Sequence, residues 1–262
     1  DLIWDDLFLT IKALNLNLNI DIIYGLPGHN LNSVIDNLNL AISYNPEQIS
    51  IYPLAIRTDT GMGRIPVDNH VPMSEKYKMF DISKEILEKA GYKCRSYVNW
   101  IKSDKSSYQQ QFLEFQGIPT LGIGAGARSY STDYHYALPW KVSQNESMGV
   151  VDLFLSKKPE EIKYVGIEMT AQEKKHHFII YSLLGGGLSY RRYLDIFNEE
   201  LDVEFGNRIK AIINQGCAKV FSPLTDSDIS IRLTNKGRKY SDIVAHLFTS
   251  EKVLELYKSF KY

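Results

Sequence analysis

Asp21 stands inside the run Asn19-Ile20-Asp21-Ile22-Ile23-Tyr24, which stops at Gly25-Leu26-Pro27-Gly28. A carboxylate among β-branched residues must be matched by a hydrogen bond, an ion pair or a ligand. Asp21 is therefore either a ligand-binding group near a strand end or a strand aspartate with a local partner. A second feature is Leu121–Tyr130, reading LGIGAGARSY, in which Gly122, Gly124 and Gly126 recur at every second position. Such glycines let a backbone lie close against a flat or charged group, or against another backbone. The spacing is not the G-x-G-x-x-G of dinucleotide sites. Phe115 and Gln116 precede it; the aromatic suits a core, whereas the adjacent amide suits the wall of a site. Arg128 closes the segment with a cation that could meet a substrate carboxylate or a structural acid.

Metal chemistry finds less support. The chain has two cysteines, Cys94 and Cys217, far apart and in no paired motif. Two such thiols alone cannot hold an iron–sulfur cluster, which takes three or four. Of the six histidines, His176 and His177 are adjacent and so diverge on a helix, and the others are scattered. No metal site is expected from this chain, and both thiols read as buried and inert in a reduced, cytoplasmic protein. Lys+Arg of 30 against Asp+Glu of 31 gives a net charge of −1, which disfavours a nucleic-acid partner. No apolar run is long enough to cross a bilayer, and no secretory signal opens the chain.

The elements that must position these residues follow from periodicity. Residues 2–15 predict an amphipathic helix through Trp4, Leu7, Ile11 and Leu14. The run at 19–24 predicts a buried parallel strand, and 31–44 a helix capped by Asn30 or Asn32. Residues 48–54 predict another strand, 57–73 a loop, and Ser74 a cap for a helix that Gly91 ends. This is the rhythm of parallel βα units, part of a β/α barrel or an open sheet. Residues 92–98 predict a strand. From about 146 a second unit begins, with a capping box at Thr170-Ala171-Gln172-Glu173 and a helix broken at Gly185-Gly186-Gly187. Further helices are expected at 190–198 and 208–214. Val220-Phe221 and 229–233 predict a hairpin, after which Thr234 caps a helix through Tyr240 and Leu247. The expected fold is α/β, residues 1–145 forming a partial barrel and 146–262 a small helical domain with a β-wing.

Taken in order, NIDIIYGLP (Asn19–Pro27), ISIYPLA (Ile49–Ala55), FQG (Phe115–Gly117), LGIGAGARSY (Leu121–Tyr130) and the wing hairpin with Leu233-Thr234-Asn235-Lys236-Gly237 resemble the radical S-adenosylmethionine (SAM) enzymes of the oxygen-independent coproporphyrinogen III oxidase type. The resemblance implies a radical SAM (β/α) barrel with SAM and a 4Fe–4S cluster as cofactors. It also implies chemistry through a 5′-deoxyadenosyl radical on a tetrapyrrole or similar bulky substrate. Family members carry a Cys-x3-Cys-x2-Cys loop after their first barrel strand. This chain contains none and begins at Asp1 without methionine, so it is expected to be the C-terminal part of such an enzyme, inactive alone. By the same resemblance Asp21 and Ala55 contact SAM, Phe115 and Gln116 line a second SAM position, and Gly122, Gly124 and Gly126 line the site. Arg128 stands where coproporphyrinogen oxidases tend to have an aliphatic residue, which shifts the question of substrate. Dehydrogenation of coproporphyrinogen III competes with methylation, cyclopropanation and heme handling on this scaffold. A winged-helix nucleic-acid module is the alternative from another class.

Overall fold

The β-branched run that ends at Gly25 forms strand β1 (Asn19–Tyr24), which pairs in parallel with β2 (Gln48–Pro53) in the register Asp21↔Ser50 and Tyr24↔Pro53. The structure, a computed structural model, describes residues 2–56, 61–103, 113–115, 117–138, 144–221 and 231–259. The chain forms two compact units, residues 1–55 with 65–109 and residues 56–64 with 110–262. The units divide near residue 110, whereas the sequence suggests a domain boundary at 145/146. The cause is a sheet that ties residues 128–137 to residues 165–168.

In the first unit, α1 (Leu2–Ala13) precedes β1, and α2 (Leu31–Ser43) links β1 to β2. Asn30 is the α2 cap: its side chain accepts from the Ser33 N–H at 3.0 Å, and the Ser33 hydroxyl returns to the Asn30 N–H. Helix α3 (Met73–Lys89) begins one residue before Ser74, the cap expected from sequence. Pro72 takes that place with φ −67 and no side-chain cap bond, since the pyrrolidine ring already holds the angle a helix entry needs. The strand expected over 92–98 is instead a hairpin, β3 (Lys93–Cys94) and β4 (Asn99–Ile101). Ser96 turns it by accepting from the Asn99 N–H at 3.2 Å. The sheet order is β1-β2-β4-β3, with β4 antiparallel to β2, so the sheet is mixed rather than wholly parallel.

Alternation decides what each face of this sheet does. Ile22, Tyr24, Ile49, Ile51 and Trp100 pack with Val34 and Leu38 of α2 and Met79 and Leu87 of α3. The opposite face carries Asn19, Asp21, Gln48, Ser50, Tyr52 and Asn99, together with Ile23 and Ile101. Helix α1 departs from its expected amphipathic burial: Leu7 and Leu14 are exposed, while Phe8 lies 3.9 Å from Tyr44 with the rings tilted by 34°, and Asp5 accepts from the Tyr44 hydroxyl.

The ends of β1 and β2 are clamped together by Lys76. Its Nζ donates to the Leu54 carbonyl at 2.8 Å, and its stem lies where a Cβ on Gly25 would be, 2.8 Å from Cε. Gly25 has φ +79, a conformation costing an L-residue about 1–2 kcal/mol. Gly25→Ala is therefore expected to destabilise the protein by roughly 2–3 kcal/mol, part backbone and part clash. In a Lys76→Ala background the clash vanishes, and only about 1 kcal/mol should remain. Urea unfolding of the four proteins in this cycle measures the difference; strictly additive losses would remove Lys76 from the explanation.

In the second unit, β5 (Arg128–Tyr130), β6 (Tyr134–Ala137) and β7 (Val165–Glu168) form an antiparallel sheet, with α4 (Gln144–Ser156) between β6 and β7. Thr170 caps α5 (Ala171–Leu184) by accepting from the Glu173 N–H at 3.3 Å. The Glu173 carboxylate does not complete the expected box; it is buried and accepts from the Ser250 hydroxyl at 2.7 Å. Gly185 caps the C-terminus of α5. Helices α6 (Tyr190–Phe197) and α7 (Leu201–Asn214) follow, α7 being longer than its periodicity suggests. Strands β8 (Ala218–Val220) and β9 (Ile231–Leu233) pair antiparallel as the wing; residues 222–230 lie outside the described residues. The helix expected after Thr234 is broken at Tyr240 into α8 (Asn235–Lys239) and α9 (Ser241–Leu247), before α10 (Glu251–Ser259). Phe178, Ile179, Tyr193, Phe205, Ile209, Ile231 and Phe248 form the core of this unit.

Candidate functional site

Asp21 lies mid-strand on the polar face of the first sheet, and its carboxylate is exposed. A relay of side chains leads to it. Gln48 donates to Ser50 at 3.3 Å, Ser50 donates to Asn19 at 3.0 Å, and the Asn19 amide donates to Asp21 at 2.8 Å. Asp21 thus has a local partner and, among the described residues, no ion pair. Across the strand pair Tyr52 is half-buried, and burial together with the nearby Asp21 charge raises its phenol above the ordinary range. Tyr97, whose hydroxyl is held up by burial and by Tyr52, extends the same polar surface. Ala55 follows the end of β2 and is exposed; the Leu54 carbonyl just before it is the one that Lys76 holds.

The remaining sequence-predicted residues belong to the second unit. Thr120 and Tyr130 bond each other's backbones twice at 2.8 Å, so the glycine-rich segment folds back along β5. Gly122 is explained by that packing: an added Cβ would sit 2.5 Å from the Arg128 carbonyl oxygen. Gly124 and Gly126 face open space, and Gly124 has φ +122. Leu121 and Ile123, which precede Gly124, are 73% and 86% exposed. Phe115 packs edge-on to Tyr181 at 5.5 Å and closes on Gly185, whose absent Cβ would meet the Phe115 Cβ at 2.8 Å. Gln116 lies outside the described residues. Arg128 is exposed and makes no ion pair among the described residues.

Side chains that sequence reasoning passed over also gather. Tyr130, His135, His177, Tyr181 and Phe115 form a continuous chain of ring contacts, with His177 stacked on Tyr181 at 4.0 Å and edge-on to His135 at 5.0 Å. Burial lowers the His135 imidazole, and burial with the neighbouring His135 brings His177 down to about 4. His176, one residue away, points elsewhere: its Nδ1 meets the Phe248 carbonyl at 2.6 Å in the helical core. In the first unit a separate hollow of about 680 Å³ is lined by His29, Asn30, Asp68, His70 and Glu75 among others. It includes none of the predicted residues. Its His29 Nδ1 and His70 Nε2 are buried without a hydrogen-bond partner among the described residues.

No family model matches the chain. Its backbone superposes with a TM-score of 0.68 on the structure described as coproporphyrinogen III oxidase (HemN) from Escherichia coli, a radical SAM enzyme, covering 92% of this chain and 58% of that one at 17% identity. It is similar to the heme chaperone HemW of Buchnera aphidicola subsp. Schizaphis graminum, 36% identical over 127 residues, 47% of this chain and 32% of the relative. It is also similar to the anaerobilin synthase of Escherichia coli O157:H7, 22% identical over 221 residues, 83% of this chain and 46% of the relative. The chain shares the fold of HemN and is similar in sequence to HemW and anaerobilin synthase. It spans less than two thirds of each of these relatives. The likeness to HemN is one of fold, and it accounts for the mixed α/β architecture of both units.

The exposed Asp21 carboxylate beside Tyr52 suits a ligand with an amine and hydroxyls, such as SAM. Cys94 and Cys217 belong to different units, and no group of three or more metal-ligating side chains gathers among the described residues. These residues do not fit a 4Fe–4S cluster. No described helix is long and apolar enough to cross a membrane.

Proposed function

We propose that this chain is the SAM-positioning and substrate-facing part of a cytoplasmic radical SAM protein that acts on a tetrapyrrole, as coproporphyrinogen III oxidase does. The observation that carries the reading is the polar strip of β1 and β2. A sheet whose apolar face is covered by helices leaves Asp21, Ser50 and Tyr52 on its other face, in a chain that follows HemN over 92% of its length. In a β/α barrel the helices form the outer layer, so the strand face opposite them is the one turned to the interior. SAM, when bound, supplies the radical source in this family; the chain's own residues bind and orient it. Asp21, kept in one rotamer by the Asn19 amide, would accept hydrogen bonds from it. Ala55 would present backbone beside the carbonyl anchored by Lys76. In the second unit, Gly124 and Gly126, open on their Cβ sides, would by themselves admit close approach of a flat group.

Equilibrium dialysis of labelled SAM against the protein tests this. Saturable binding is expected, displaced by S-adenosylhomocysteine and weakened about tenfold in Asp21→Asn, the loss of roughly one charge-assisted hydrogen bond. Since Asp21 is exposed, the variant should fold as the parent does. Absence of saturable SAM binding, or equal affinity in the variant, would count against the reading. A second reading, heme handling without SAM chemistry, is supported by the 36% identity to a heme chaperone. It expects heme binding with no dependence on Asp21.

A further inference from the structure

The β5–β6–β7 sheet presents Arg128, Tyr130 and His135 on one face, because Tyr130 pairs with His135 and Arg128 with Ala137 two residues on. Arg128 and His135 are thus diagonal neighbours, about 7–8 Å apart. From α5, His177 and Tyr181 complete the shelf, and Phe115 closes its far side. The rings of His135 stand edge-on to Tyr130 at 4.9 Å and to His177 at 5.0 Å. Neither imidazole makes a hydrogen bond among the described residues. His176, one residue from His177, is by contrast committed to the Phe248 carbonyl. The shelf therefore combines aromatic surface, an exposed guanidinium and a basic nitrogen with its lone pair uncommitted. A flat, carboxylate-bearing ligand with an open metal position answers each of these.

We propose that His135 is an axial ligand to the iron of a heme held against this shelf, with Arg128 paired to a heme carboxylate. The proposal rests on the tetrapyrrole reading above and adds the group that grips the metal. The imidazole donates its lone pair to iron in place of a water molecule. No electron is transferred and, because burial keeps the ring neutral, no proton is released. His177 is the less suitable ligand: it is stacked face-on against Tyr181 and is the more desolvated of the pair. It acts as a positioning residue that fixes the His135 ring.

Titration of ferric heme into the protein, followed in the Soret region, tests the assignment, with metal-free protoporphyrin as the second probe. Saturable heme binding with a histidine-ligated spectrum is expected. His135→Phe should lose that spectrum and at least about tenfold in heme affinity, while protoporphyrin affinity stays within about threefold. Free imidazole added to His135→Phe should restore the spectrum. Arg128→Ala should weaken both porphyrins without changing the spectrum. Circular dichroism of each variant excludes loss of fold, and His177→Phe should keep the histidine-ligated signature. Heme bound with an unchanged spectrum in His135→Phe, or a signature lost in His177→Phe but kept in His135→Phe, overturns the assignment and leaves the tetrapyrrole reading standing. Failure of both porphyrins to bind overturns the two together.

Discussion

Gly237→Ala is expected to lower the stability of the second unit by about 3 kcal/mol or more. An added Cβ at this position would lie 1.9 Å from the Cys217 carbonyl oxygen and 3.2 Å from the Leu233 side chain. The neighbouring atoms have nowhere to go. The Cys217 carbonyl is already bonded by the Thr234 N–H at 2.9 Å, the Thr234 hydroxyl donates to the Gly216 carbonyl at 2.7 Å, and the Gly237 N–H returns to that hydroxyl. A methyl group must therefore push the first turn of α8 away from the turn between α7 and β8 and break this set. Overpacking against backbone costs about 1–3 kcal/mol, and the loss of a capping bond adds about 1 kcal/mol. In a chain of this size that corresponds to a fall in melting temperature of roughly 6–12 °C. Gly126→Ala is the control. Its Cβ would meet open space, and the change should stay within about 0.5 kcal/mol. Thermal and urea unfolding of the two variants measure both; equal stabilities would show that the wing yields more easily than its contacts imply.

Acidification is expected to destabilise the protein between pH 6.5 and 4 through His177. Burial, reinforced by the neighbouring His135, brings this imidazole from its ordinary 6.5 to about 4. In that window the unfolded chain binds a proton that the folded chain refuses, so stability falls as pH falls and is flat above 6.5. At about 1.4 kcal/mol for each tenfold difference in proton affinity, the full loss from His177 is roughly 3 kcal/mol. His135 shifts in the same direction and adds to the slope. His177→Phe keeps the stacking on Tyr181 and removes the titrating group. Its unfolding free energy should fall less steeply below pH 6 than that of the parent, so the variant gains on the parent as the pH drops. Urea midpoints at a series of pH values would check this, and parallel curves would mean that the imidazole is protonated as readily in the fold as in water.

Much of the local structure could be read from the chain because short-range chemistry determines it. The β-branched residues around Asp21, the stop at Gly25, the Asn30 cap, the Thr170 and Thr234 caps and the break at Gly185 each depend on neighbours within a few residues. The divergence of His176 and His177 was legible for the same reason, since adjacent helical residues point about 100° apart. The short strands were not. Tyr134–Ala137 and Val165–Glu168 show no strong alternation and become strands only by pairing with partners far along the chain. Asn99–Ile101 likewise reads as the tail of a loop until β2 pairs with it in the antiparallel sense.

The sequence by itself determined the residue types available for chemistry: a carboxylate in a strand, alternating glycines, an arginine beside them, and too few thiols for a cluster. Their order along the chain carries that information, and no folding is needed to read it. Tertiary structure alone decided that Asp21 faces away from the helices, that Gly122 is required by the Arg128 backbone, and that His135 meets His177. Each of these depends on the register of strands or the approach of a helix, which long-range packing fixes and local spacing does not encode.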